Sequence, residues 1–402
     1  MEDNNNNSQP ANSSNDHHMP ALTGIRFFAI FHIFLFHLVA TSFGPKPEGA
    51  EDVLSGMRDM PYNFLVFCFN GWMSTSFFFL LSGFLLAYLY WGEDGQLVTS
   101  RRRFWSLRFA RIYPIHLIVM AITIPVVVPF LIASGQPLTT IIPSAVATVT
   151  LVQAWVPPWI PHYNWPAWTI SVLVFLYLIM PWLAKVLGRL SRGQMVAALV
   201  AMPFVSLIPT AWYAWRMTTG AEWNMNIDMF VANNPLFWVP YFAAGMLLTR
   251  IFGLSRFKPS PTSPSWIAWG DAALILVIGI AMTQEIQQPE KFLIRQGLLM
   301  PLFMIVVVDF ARGRGFFAKL FSLPGTGFLG ETGYSIFIWQ GVVLISMVGA
   351  VIAAPHIGPY QHWIAYGLIM ALAIPSTYLV EKPIARWIRR KYIDPLEKGA
   401  QR

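Results

Sequence analysis

Charge is scarce in this chain. Asp, Glu, Lys and Arg make up 11% of its 402 residues, against about a quarter in an ordinary soluble domain. Hydrophobic residues make up 55% and the mean hydropathy is +0.52. A soluble fold of that composition would show large apolar faces to water, so the bilayer is the expected solvent. Cysteine is nearly absent. Cys68 stands alone, which excludes an intrachain disulfide, and its apolar neighbours suit a buried inert thiol better than a nucleophile. The opening stretch "MEDNNNNSQPANSSNDHHMP" has no basic n-region, so the apolar run after it does not read as a cleavable signal peptide. Residues 1–19 read as a disordered cytoplasmic tail in which His17 and His18 are solvated, and no metal site is expected.

What is abundant is aromatic: 17 Trp, 31 Phe and 13 Tyr. That suits a polytopic protein with interfacial aromatic belts. A spanning helix needs about 20 apolar residues, and ten stretches approach that length. They are roughly 21–41, 64–91, 113–134, 166–187, 195–215, 235–254, 266–284, 293–311, 325–353 and 360–382. A shorter run, 139–157, lies between Pro143 and Pro157 and reads as a buried or interfacial helix. The fold class is therefore all-α, with about ten transmembrane helices in one membrane domain, 20–392, and a short cytoplasmic tail, 393–402.

The net charge of +8 would suggest nucleic acid in a soluble chain. Here the positive-inside rule explains it, and no nucleic-acid partner is expected. With the N-terminus in the cytoplasm, 21 of the 27 Lys and Arg fall in inside segments. Lys46, Arg58, Arg216, Lys291 and Arg295 fall in outside loops, and Arg26 lies in the first span. That asymmetry orients the chain as a multi-pass membrane protein with both termini inside.

Ionisable groups inside spans are candidate functional residues. The first span, "LTGIRFFAIFHIFLFHL", holds Arg26, His32 and His37. Eleven residues at 100° each place Arg26 and His37 only ~20° apart around the helix and roughly 16 Å apart along it. Arg26 sits at the cytoplasmic end and His37 towards the outer half. His32 lies about 140° from His37 and faces elsewhere. Each could equally be a hydrogen-bonded structural residue between helices. In "RRRFWSLRFARIYP", Arg108 and Arg111 share a helix face. Their guanidinium forks suit phosphate oxygens, or the headgroups of anionic membrane lipids. Glu381, in "YLVEKPIARWIRRK", ends the last span at the depth where Arg26 begins the first. Pairing of the two would offset the cost of burying each.

Together these pieces resemble acyltransferase family 3, integral-membrane O-acyltransferases that modify extracytoplasmic carbohydrates and lipids. The resemblance runs from about Leu22 to Arg386. "LTGIRFFAIFHIFLFH" is similar to the family opening, an arginine, ten residues and a histidine. "FFLLSGF", Phe78–Phe84, resembles its FFxxSG element. "RFAR" resembles its inside RxxR, and "VEKPIAR" its terminal glutamate-x-proline motif. Two positions depart. Leu173 stands where the family often has glutamate, and Gln340 where it has histidine.

The resemblance implies a donor, acyl-CoA and most commonly acetyl-CoA, used as a substrate with no tightly bound cofactor. It implies His37, Arg26 and Glu381 as catalytic residues, with Arg108 and Arg111 on the donor. Ser82 is a candidate donor contact, or a small residue for helix packing. A neutral His37 imidazole would take the proton of an acceptor hydroxyl as it attacks the thioester. The acceptor would be an extracytoplasmic glycan or lipid-linked sugar, and by analogy the membrane a bacterial inner membrane. In "AWVPPWIPHYNWPAW", Trp155, Trp159, Trp165 and Trp168 suit stacking on sugars, and equally an interfacial belt. Two other readings remain at this point. Buried Arg, His and Glu also suit a proton-coupled transporter or exporter, and Leu173 and Gln340 would suit a non-catalytic family member.

Overall fold

The computed structural model describes residues 19–43, 60–220, 222–254, 268–283 and 290–393. Residues 1–18 and 394–402, read from the sequence as tails, lie outside the described residues, as do residues 44–59. Among the described residues the architecture is entirely helical, with one isolated bridge between Trp91 and Leu97.

Helix α1 is Pro20–Phe43. Helix α2 (Tyr62–Phe69) runs through one 3₁₀ turn into α3 (Met73–Tyr90). Helix α4 (Arg101–Ala133) starts at the capping hydroxyl of Ser100 and carries the arginine-rich stretch and the following apolar run as one rod. At 1.5 Å per residue it is roughly 50 Å long, more than a bilayer needs. Its first turns therefore extend beyond the apolar part. Helix α5 (Leu138–Val149) is followed by three short 3₁₀ turns and then α6 (Trp168–Leu187). Next come α7 (Arg192–Ser206), opened by a capping box at Ser191, and α8 (Ile208–Thr218).

The second half holds α9 (Met225–Asn233), α10 (Val239–Ile251), α11 (Trp269–Thr283) and α12 (Glu290–Leu293). A π turn, Ile294–Leu298, joins α12 to α13 (Met300–Ala311). The short helices α14 (Phe316–Leu320) and α15 (Pro324–Glu331) lead to α16 (Gly333–Ala353) and α17 (Gln361–Pro375). A π segment, Ser376–Glu381, then runs into α18 (Lys382–Ile388).

Eight of these helical stretches are long and apolar enough to cross a membrane. The other two spans read from the sequence, 235–254 and 266–284, hold the shorter helices α10 and α11, of 13 and 15 residues. The ten-span topology needs both to cross with their flanking turns. The run 139–157 folds as the 12-residue α5 and turns, too short to cross alone. The stretch 192–218 presents its side chains outward, with Val200, Phe204 and Ile208 each more than 60% exposed. Such a face is stable in lipid and not in water.

Helix α3 packs most extensively on α10, and glycines set their distance. A Cβ at Gly83 would collide with the Phe242 carbonyl oxygen, and one at Gly245 with that of Leu80. Close approach through small residues is how membrane helices gain packing without a hydrophobic driving force. A valine at Gly83 is expected to lower stability by about 1–3 kcal/mol, the cost of overpacking. Thermal unfolding in detergent checks this, and an unchanged midpoint would remove the packing role.

Candidate functional site

Six helices line a cavity of about 220 Å³, α15 through Gly330. Helix α1 contributes Arg26, Ile30 and Ile33. Helix α3 lines it from Thr75 to Leu89, α4 adds Arg108, Arg111 and Ile112, and α6 adds Thr169, Ile170, Leu173 and Tyr177. Helix α16 closes it with Tyr334 and Phe337. Fourteen residues of α3 separate Thr75 from Leu89, so the cavity follows that helix for about 21 Å. Its three guanidinium groups are gathered at one end, and most of its remaining wall is aliphatic or aromatic.

The arginine end brings together residues far apart in sequence. Arg111 Nε lies 3.5 Å from Glu381 Oε1, and Ser335 Oγ donates to the other carboxylate oxygen at 3.2 Å. Arg108 donates to the Tyr90 hydroxyl at 2.9 Å and lies over that ring. Its Nε is buried without a hydrogen-bond partner among the described residues. The expected pairing of Glu381 with Arg26 is therefore corrected. The ion-pair partner of Glu381 is Arg111, because α4 packs directly against the final π segment. The carboxylate that acts on Arg26 is Glu331, with Arg111 repelling it. Glu331 in turn meets Lys382 at 2.5 Å.

Ser82 lines the cavity while its neighbour Gly83 is pressed against α10. Gly83 thus carries the packing role, and Ser82 faces the cavity. Leu173 lies in the cavity wall. The departure from glutamate makes the middle of the cavity apolar rather than removing a distant contact.

His37 continues the α1 face of Arg26, Ile30 and Ile33, one turn beyond the last of these, and is 4% exposed. Phe337, a cavity residue, is 6.4 Å away, ring centre to ring centre. Trp165 stands edge-on to the imidazole at 4.1 Å. His37 Nδ1 is 2.7 Å from Gln340 Oε1. With the amide oxygen facing the ring, Nδ1 is the donor in this hydrogen bond. Gln340 therefore does for His37 what a carboxylate does in a hydrolytic triad, fixing its tautomer and orientation. Sequence reasoning placed Gln340 only as a departure from a family histidine, and no local pattern links positions 303 residues apart. Leucine at 340 is expected to lower activity about tenfold, the worth of one net hydrogen bond. Histidine there should restore most of it; an unaltered rate–pH profile in Gln340→Leu would exclude the orienting role.

His32 is the structural member of the trio. Its Nε2 donates to the Phe67 carbonyl at 2.8 Å and its Nδ1 accepts from Ser74 Oγ at 2.9 Å. The ring stacks on Phe67 at 4.0 Å. Both nitrogens are thus committed to the α2–α3 junction.

The four tryptophans of the 154–168 stretch take different positions. Trp155 is 38% exposed and packs edge-on to Phe175. Trp159 is half-buried in a 3₁₀ turn. Trp165 covers His37. Trp168 is 8% exposed and lies against the Arg295 guanidinium, which withdraws its ring from an outer surface. Arg295 itself is corrected from a loop residue to a buried one on the π turn. Cys68 is buried and unbridged. Among the described residues no cluster of His, Cys, Asp or Glu could hold a metal ion.

These features define a polytopic all-α membrane protein with a cationic-ended cavity between its helices and a tautomer-fixed histidine just beyond the other end. The chain belongs to acyltransferase family 3, described as "Acyltransferase domain", whose profile matches residues 19–382. A curated relative, Acyltransferase MdmB of Streptomyces mycarofaciens, is 26% identical over 297 residues, which cover 72% of this chain and 69% of the relative. No solved structure matches it.

Proposed function

We propose that this acyltransferase moves an acyl group, acetyl in the first instance, from cytoplasmic acyl-CoA to a hydroxyl of an extracytoplasmic carbohydrate or glycolipid. The observation that carries the reading is a cavity with Arg26, Arg108 and Arg111 at one end and His37 one helical turn beyond the other. In this reading both termini lie in the cytoplasm of a cell whose plasma membrane the helices cross. The donor phosphates meet the arginines, which offer bidentate charged hydrogen bonds. Glu381 and Ser335 hold Arg111 in place for them, and Tyr90 holds Arg108. The apolar body of the cavity accepts the arm that carries the thioester.

At the outer end, His37 Nε2 takes the proton of the acceptor hydroxyl as its oxygen attacks the thioester carbonyl. The new ester C–O bond forms and the C–S bond breaks. The CoA thiolate leaves towards the arginine end and takes up a proton. Trp165, against the imidazole, is the ring an acceptor reaches first. A transporter has no evident need for paired arginines at one end of a cavity and a buried histidine along the same helix face.

Purified protein incubated with labelled acetyl-CoA and a panel of glycans tests the reading. Label is expected in a glycan with the wild type and not with His37→Ala. Equal transfer by both proteins would remove His37 as the base.

A further inference from the structure

Two cations near the outer end of the bundle are left over by this mechanism. Arg295 lies on the π turn, 7% exposed, with its guanidinium 5.3 Å from the centre of the Trp168 ring and 5.4 Å from that of Trp238. Its hydrogen-bond acceptor is Asn233 Oδ1 at 3.4 Å, and its Nε is buried without one among the described residues. One helical turn earlier, Lys291 extends half-buried over Phe36 and Trp72, its ammonium 5.6 and 5.5 Å from their ring centres. Neither residue forms an ion pair with a carboxylate among the described residues. The acid that acts on Lys291 electrostatically is Asp228, and Asp228 already accepts the Trp223 indole N–H at 2.9 Å.

Two like charges one helical turn apart and partly desolvated are costly, and Asp228 offsets only part of that cost at Lys291. Aromatic faces return only part of that cost. Backbone anchors hold the pair in place nonetheless. The Arg295 carbonyl accepts from both Ser76 Oγ at 2.7 Å and Tyr241 at 3.0 Å. A π turn held so firmly, with one cation on it and another in the turn before it, is the pattern of a functional irregularity rather than a slack helix.

The position of Lys291 gives the charge a use. Phe36 touches both Lys291 and His37: its ring centre is 5.6 Å from the ammonium and 5.5 Å from the imidazole centre. The ammonium is therefore no more than about 11 Å from His37, within the span of a disaccharide. We infer that Lys291, backed by the field of Arg295, holds an anionic group of the acceptor, so that the acceptor is an acidic saccharide bearing a carboxylate or a phosphate. The inference rests on the acyl-transfer reading for the statement that the bound saccharide is the acceptor. Lys291 makes the contact. Arg295, enclosed by its two tryptophans, contributes charge from behind. His37 then selects a hydroxyl one or two sugar rings from the anion.

Binding is measured by saturation-transfer NMR on the full chain in phosphatidylcholine nanodiscs, with methyl glucuronide, glucose 1-phosphate and neutral methyl glucoside as probes. The wild type is expected to favour at least one anionic probe over the glucoside by about tenfold, the worth of one charged hydrogen bond. Lys291→Ala should bring that ratio to within about twofold, and Lys291→Arg should keep it. Equal binding of the three probes, or a preference that survives Lys291→Ala, overturns the inference. So does loss of the preference when phosphatidylglycerol is added, because the cation then serves a lipid headgroup. Release of CoA from acetyl-CoA, compared with His37→Ala on the same samples, separates the two claims. His37-dependent release without an anion preference defeats this inference alone, whereas an anion preference without such release defeats the acyl-transfer reading.

Discussion

Replacing His37 by glutamine is expected to reduce acyl transfer by about 10²–10⁴-fold, the usual contribution of a positioned general base. Glutamine is close in volume and can still meet Gln340, so the helix contact survives and the lone pair at the Nε2 position is lost. The loss should fall on kcat with little change in KM for the donor, because His37 lies beyond the cavity that would hold acyl-CoA. Steady-state kinetics with labelled acetyl-CoA measure both. A loss confined to KM for the donor would place His37 in binding and not in proton transfer.

The second large effect is expected at the opposite end. Arg108→Gln and Arg111→Gln together should raise KM for acyl-CoA by roughly 10²-fold or more, since each removes a charged hydrogen bond worth about 1.5–3 kcal/mol. The single Glu381→Gln change should give a smaller rise of the same kind. It frees Arg111, whose side chain is 49% exposed against 4% for Glu381, from a partner that is the more buried of the two. The KM rise should shrink when wild type and variant are compared in high salt, because screening already weakens the wild-type contact. A kcat loss at unchanged KM would mean that these arginines do not bind the donor.

The helical pattern of the first span was enough to separate its three polar residues. Arg26 and His37 do lie along one face, and His32 turns to the α2–α3 junction. The RxxR and Ser82-Gly83 elements were legible because each is a local arrangement on one helix. The partners of these residues were not. Arg111 meets Glu381 across 270 positions, and that distance carries no periodic signal. Matching membrane depth suggested Arg26 for Glu381, and depth alone cannot say which of two arginines stands nearer.

Two other misses have a common origin. Arg295 counted as an outer-loop cation because a charge beside a run of about 18 apolar residues ordinarily marks its end. The Trp168 and Trp238 rings allow the helix to begin earlier and to bury the charge. Gln340 counted as a loss because the family often has histidine there. Its value depends on His37, which only the packing of α16 against α1 brings within 2.7 Å.

Transfer across the bilayer is the central claim, and sidedness tests it most directly. Proteoliposomes would be loaded with labelled acetyl-CoA, with an acidic glycan outside, and the population with the arginine end inward selected by protease trimming of the other. Label is expected on the external glycan, dependent on His37 and absent when acetyl-CoA is supplied only outside. Labelling that requires donor and acceptor on the same face would contradict the cavity as the route of the acyl group.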